Sequence, residues 1–148
     1  KTVQNMMHYA VTHQTAAEIV YDRANAEKPY MGLTTWKNAP DGRIRKSDVT
    51  IAKNYLSEKE VRSLELLSTA FVDIAELRAE RQQLMSMKDW KEQLAKFLSM
   101  NDHDILPDAG RISHELAEAK AVGEYEKYRV IQDQTFLSDF DRLLDEVK

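Results

Sequence analysis

The sequence contains no cysteine. That excludes disulfide frameworks, thiolate metal sites and a cysteine nucleophile, and it fits a reducing compartment. Glycine and proline are also scarce, four and three in 148 residues, so helices have few places to break. No apolar run approaches the roughly 20 residues that a membrane span needs. No signal peptide is visible. No Walker motif, GxGxxG or GxSxG is present. Neither sign of charge dominates: 21 basic and 25 acidic side chains give a net charge of -4. That balance argues against broad electrostatic wrapping of nucleic acid, and it leaves room for a local basic patch.

What the sequence does contain is helix signals. Hydrophobic residues make up 43% and charged residues 31%, a globular balance. Ser or Thr stands three residues before an acid at Thr15/Glu18, Ser57/Glu60, Ser86/Asp89 and Ser138/Asp141, the spacing of a capping box. After Ser57, the residues Val61, Leu64, Leu67, Phe71 and Ile74 recur at steps of 3, 3, 4 and 3. That stripe predicts a helix over 58–82 with Leu67 and Phe71 in the core. Met87, Trp90, Leu94 and Phe97 predict a second helix ending near Met100. A third is expected from Arg111 to about Gln132, where the small Ala117, Ala119 and Ala121 admit a close neighbour. Gly123 weakens its middle. A last helix carries Leu137, Phe140, Leu144 and Val147.

The N-terminal third is less regular. Short helices are expected over 2–11 and 15–26, and Ser47 or Asp48 is placed to cap another through Tyr55. "NAPDGR" (38–43) sets Pro, Asp and Gly in turn order. Its flanks, 33–36 and 43–45, have the composition to pair as a small β-hairpin. The expected fold is all-α: a single compact multi-helix domain over 1–148, with one small hairpin near 33–45 at most. The chain opens straight into expected helix, and a piece of a longer protein is the expectation.

Candidate chemistry is sparse. "SHELAE" falls short of a zincin helix, because Glu118 stands where HExxH needs a second histidine after His114. "NDHDI" puts Asp102 and Asp104 around His103, with no nucleophile nearby. Lys37, Arg43, Arg45 and Lys46 form a basic cluster beside Trp36, suited to phosphate or nucleic acid, against the plain alternative of a charged loop. "HQTAAEIVYDRANAEKPYMGLTTW" (13–36) is the densest stretch. Thr15 and Glu18 read as a cap, and Pro29 and Gly32 mark a sharp turn on which His8, His13 and Arg23 could converge. The five donors of Arg23 are expected to bond carbonyls of the following turn or a carboxylate, bracing the loop that presents Trp36 and the basic cluster. No metal or cofactor is expected.

"HQTAAEIVYDRANAEKPYMGLT", "SDVTIAKNYLSEKEVRSLELL", "MSMKDWKEQLAKFL" and "DAGRISHELAEAKAVGEYEKY" resemble, in that order, the C-terminal half of the RhuM family of virulence-associated bacterial proteins. The blocks span nearly the whole chain, and they are specific only together. The resemblance implies a bacterial cytoplasmic protein of pathogenicity islands and mobile loci. It also implies an N-terminal, DNA-binding-like half that lies outside this sequence. The family carries no established reaction, so no catalytic residue is transferred. What transfers is a motif surface: His13, Thr15, Glu18, Arg23, Tyr30, Met31, Gly32 and Trp36. Two functions are compatible with these readings. The first is an interaction or oligomerisation domain, with a protein partner or self-association and with nucleic acid contacted mainly through the other half. The second is an enzyme or toxin with a small polar pocket formed by the His13–Thr34 segment.

Overall fold

A computed structural model describes residues 2–82, 84–103 and 110–147, with backbone alone at 2, 3, 137–142 and 145–147. Among the described residues five α-helices follow one another: α1 (Thr2–Thr12), α2 (Ala16–Arg23), α3 (Glu58–Glu80), α4 (Met87–Met100) and α5 (His114–Val147). Between α2 and α3 the chain makes three single turns of 3-10 helix, at Pro29–Gly32, Lys46–Asp48 and Ala52–Tyr55.

Capping fixes most of the ends. Thr15, Ser57 and Ser86 each complete a reciprocal capping box with Glu18, Glu60 and Asp89. Ser113 caps α5, its hydroxyl accepting the Leu116 amide at 3.1 Å. α4 stops in a Schellman motif: Asp102 is left-handed (φ 60) and its amide bonds Ser99, while the His103 amide bonds Leu98.

Three expectations about elements are corrected. The last two expected helices are one, because nothing between Gly123 and Val147 is Gly or Pro, and the helix runs straight through Ser138. The hairpin is absent, since no strand occurs among the described residues. Its would-be pairing groups are already satisfied elsewhere. The Thr34 amide bonds Asn54 O at 2.7 Å, and the Lys37 amide bonds the Asp48 carboxylate at 3.1 Å. The Ile44 amide and carbonyl both pair with the side-chain amide of Gln132, at 2.8 and 3.0 Å. The helix expected through Tyr55 is likewise two separate turns, interrupted by the stiff run Val49–Thr50–Ile51.

Burial divides into two cores. One gathers α2, the inter-helix loop and α5 around Ile19, Met31, Trp36, Ile44 and Tyr55. The other gathers α1, α3 and α4 around Met6, Ala10, Leu67, Leu94 and Leu98. Leu64 of α3 packs against both. The α3 stripe faces inward as expected, Val61 on the first core and Leu67 and Phe71 on the second, except that Phe71 is only half-buried where Leu67 is buried. In α4, Leu94 and Leu98 are buried, while Met87 is 75% exposed. No helix among the described residues is long and apolar enough to cross a membrane.

Candidate functional site

The stretch His13–Trp36 builds one knot of backbone. Thr15 is buried at the start of α2, and Gly110 presses against it, so that a Cβ there would lie 2.7 Å from the Thr15 methyl. After α2 the chain doubles back: the Asn25 amide bonds Met31 O at 3.1 Å and the Met31 amide bonds Lys28 O at 2.9 Å. Tyr30 and Met31 both adopt left-handed angles (φ 55 and 48), and Gly32 follows at φ 92. For Tyr30 and Met31 this costs on the order of 1–2 kcal/mol each. Two contacts hold them there. Met31 is fully buried, and the Tyr30 ring lies 5.0 Å from Trp36. Gly32 has no alternative, because a Cβ would sit 2.1 Å from the Arg23 carbonyl oxygen.

The turn then docks on the second motif block. The Thr34 hydroxyl lies 2.5 Å from Leu56 O and 3.0 Å from Asn54 O, sharing its proton between them. Asn54 Nδ2 donates to Asp48 O at 3.0 Å, and the buried Tyr55 hydroxyl donates to Val49 O. Burial pushes the Tyr55 phenol well above its ordinary pKa. Arg23 closes the knot. Its two terminal nitrogens donate to both Glu60 oxygens, at 2.7 and 2.9 Å, and one of them also to Tyr55 O at 3.1 Å. The guanidinium hydrogen bond lowers Glu60 to about 2, helped by the Ser57 amide. Glu60 in turn raises Arg23. The arginine therefore bonds a carboxylate and a carbonyl, as expected of a brace, but the carbonyl belongs to the 3-10 turn Ala52–Tyr55 rather than to the turn that follows α2, and the carboxylate is in the first turn of α3.

Helix α5 supplies the other half of the clamp. Glu124 accepts the Ala26 amide at 3.3 Å, and Lys120 Nζ donates to Ala24 O while lying 5.6 Å from the Tyr21 ring. Lys127 at 3.0 Å holds the Glu124 carboxyl below its ordinary range. Burial, with Tyr30 nearby, raises Tyr128.

The expected surface residues divide accordingly. His13, Glu18, Arg23, Tyr30 and Gly32 reach solvent in part or fully, but Thr15, Met31 and Trp36 are buried. Trp36 is therefore not presented to a ligand; it is core, with its indole nitrogen donating to Gly42 O at 2.9 Å. His8, His13 and Arg23 do not converge. His8 bonds Gln4 O within its own helix, and His13 stacks edge-on against Tyr9 at 5.8 Å. In the basic cluster Lys37, Arg43, Arg45 and Lys46 are all exposed. Arg43 is already engaged, ion-paired with Asp133 and 4.7 Å above the Phe136 ring.

His114 meets Glu118 at 3.4 Å with both more than half exposed. His114 also lines a cleft of mixed polarity, of about 430 Å3, with Asn5, Thr15, Val20 and Ile112. His103 uses its ring to bond Ala10 O at 3.1 Å, tying α4 to α1; Asp104 lies outside the described residues. Among the described residues no group of three His, Asp or Glu is placed to hold a metal ion. Asp48, Glu60, Glu124 and Gln132 carry much of this geometry, and Glu124 and Gln132 were not singled out from sequence. Glu60 and Asp48 were legible as caps, but their long-range partners were not.

The fold and the knot define an all-helical module in which two motif-bearing loops are laced to a long C-terminal helix. The chain belongs to the virulence protein RhuM family, whose model matches residues 1–136. No curated protein and no solved structure matches it.

Proposed function

We propose that the chain is the interaction or oligomerisation domain of a virulence-associated, DNA-associated bacterial protein working in the cytoplasm. One observation carries this reading: α5 is apolar on two opposite sides. Its inner side, Ala117, Ala121, Tyr128 and Gln132, packs on the rest of the domain. Gly123 stands about 200° around the helix from Ala121. With it on the outer side lie Leu116 and Val130, 48% and 57% exposed, in seven-residue register with Gly123 and with Leu144 further on. A helix apolar on both sides needs something to cover the second.

The catalytic alternative gains no support from the shifted groups. Arg23, Glu60, Glu124, Tyr55 and Tyr128 are perturbed by the contacts that fasten the loop or by burial. Nucleic acid contact, on this reading, belongs mainly to the DNA-binding-like half that the family resemblance implies. Lys37, Arg45 and Lys46 remain as a minor contribution.

Sedimentation velocity over a dilution series tests the reading. Self-association that Leu116→Glu and Val130→Glu abolish, with circular dichroism unchanged, is the expected result. A chain that is monomeric throughout, and indifferent to both substitutions, rules self-association through α5 out.

A further inference from the structure

A second surface lies on α3. Leu64, Ser68, Phe71 and Val72 line one wall of a groove of about 430 Å3, and Met7 and Ile51 close it from α1 and the loop. Its interior is apolar, yet Ile51 and Val72 on its rim are 48% and 51% exposed. Helical spacing puts Glu65 and Glu76 on the same side of α3 as Val72, seven residues before it and four after. Asp73, two residues and about 200° around the helix from Phe71, lies on the side turned away from the groove. All three acids are exposed, and none makes an ion pair with a described residue. From Glu65 through Leu77 α3 carries three acids and no base. Among the described residues the basic side chains that line the groove are Lys53 and His8, and the His8 ring already bonds Gln4 O.

We propose that this groove docks a basic amphipathic helix of a partner protein, its apolar stripe against Phe71, Val72 and Ile51 and its cations over Glu65 and Glu76. Helix-in-groove docking draws its affinity mainly from apolar burial. Exposed charges contribute little strength each, but they set orientation and association rate and exclude acidic helices. The proposal rests on the interaction-domain reading and uses a different face from α5, so either can fail alone.

The test uses a fluorescein-labelled leucine–lysine helix with leucines at i, i+3 and i+4 spacing, its leucine–glutamate counterpart, and the full chain. The lysine helix should bind with an affinity that falls as salt rises, and amide shifts should cluster at Ile51, Leu64 and Val72. Glu65→Lys with Glu76→Lys should weaken binding by about tenfold or more, while melting and sedimentation stay unchanged. Failure of the lysine helix to bind, equal binding of the glutamate helix, or shifts centred on α5 would each overturn the proposal. So would groove shifts that appear on concentrating the chain alone, which would make a second copy the occupant. Peptide capture that survives loss of self-association leaves this proposal standing and removes only the α5 reading.

Discussion

Gly32 is the residue where substitution is least negotiable. An alanine there must hold φ near 92 and place its Cβ 2.1 Å from Arg23 O. Gly32→Ala should cost more than about 2 kcal/mol in urea unfolding, by combined strain and clash; a loss below half of that would mean the turn relaxes without effort. Arg23→Ala should cost more than about 1 kcal/mol, as removing a charged donor does. Arg23→Lys should recover only part, because an ammonium cannot grip both oxygens of Glu60. The pair also sets a pH dependence. Glu60 is held at about 2 in the fold against an ordinary 4.5, so the unfolded chain binds its proton first as pH falls. The stability it contributes is present above the ordinary value and is lost on acidification toward about 2. The gap between the native chain and Glu60→Gln should therefore be full at neutral pH and close across that window; a gap independent of pH would show that the carboxylate is not stabilised by Arg23. At Phe71 the expected cost of truncation falls below that of Leu67→Ala, because its ring is only half-buried.

At the scale of elements, local signals were readable and long-range ones were not. Three of the four capping boxes start helices where the Ser or Thr spacing put them, since a cap is satisfied within four residues. Ser138/Asp141 matched the same pattern inside a helix that had no reason to stop. The hairpin failed for a different reason. The chain around Ile44 is held by Gln132, 88 residues away, which no short-range pattern announces. Arg23 was legible as an arginine in need of partners, but Glu60 as the partner depends on how α3 packs. Gln132→Ala should cost about 1–3 kcal/mol, as it strands a buried amide and carbonyl; an unchanged melting temperature would mean that water replaces it. Gly123 tests the two-sided helix from the other direction. A Cβ there meets nothing within 4 Å, so Gly123→Ala should raise stability by about 0.5–1 kcal/mol. If its outer face is an interface, the same change should alter self-association while it stabilises the monomer.

On the scale of the molecule, the domain is two cores laid side by side along α3, with Leu64 common to both. The family match spans both of them. The consequence is optical. The chain has two tryptophans: Trp36 is buried in the first core, and Trp90 lies 6.0 Å from Phe71 at the edge of the second. Each core thus carries its own fluorophore. Trp36→Phe and Trp90→Phe would report the two separately during denaturation, each read against circular dichroism of the same variant. Coincident midpoints in both variants would mean that Leu64, the continuous helix beneath it and the contact of α1 with α2 are enough to make the cores melt as a unit. A separation would show that the knot of motif loops can open while the α1–α3–α4 core stays folded.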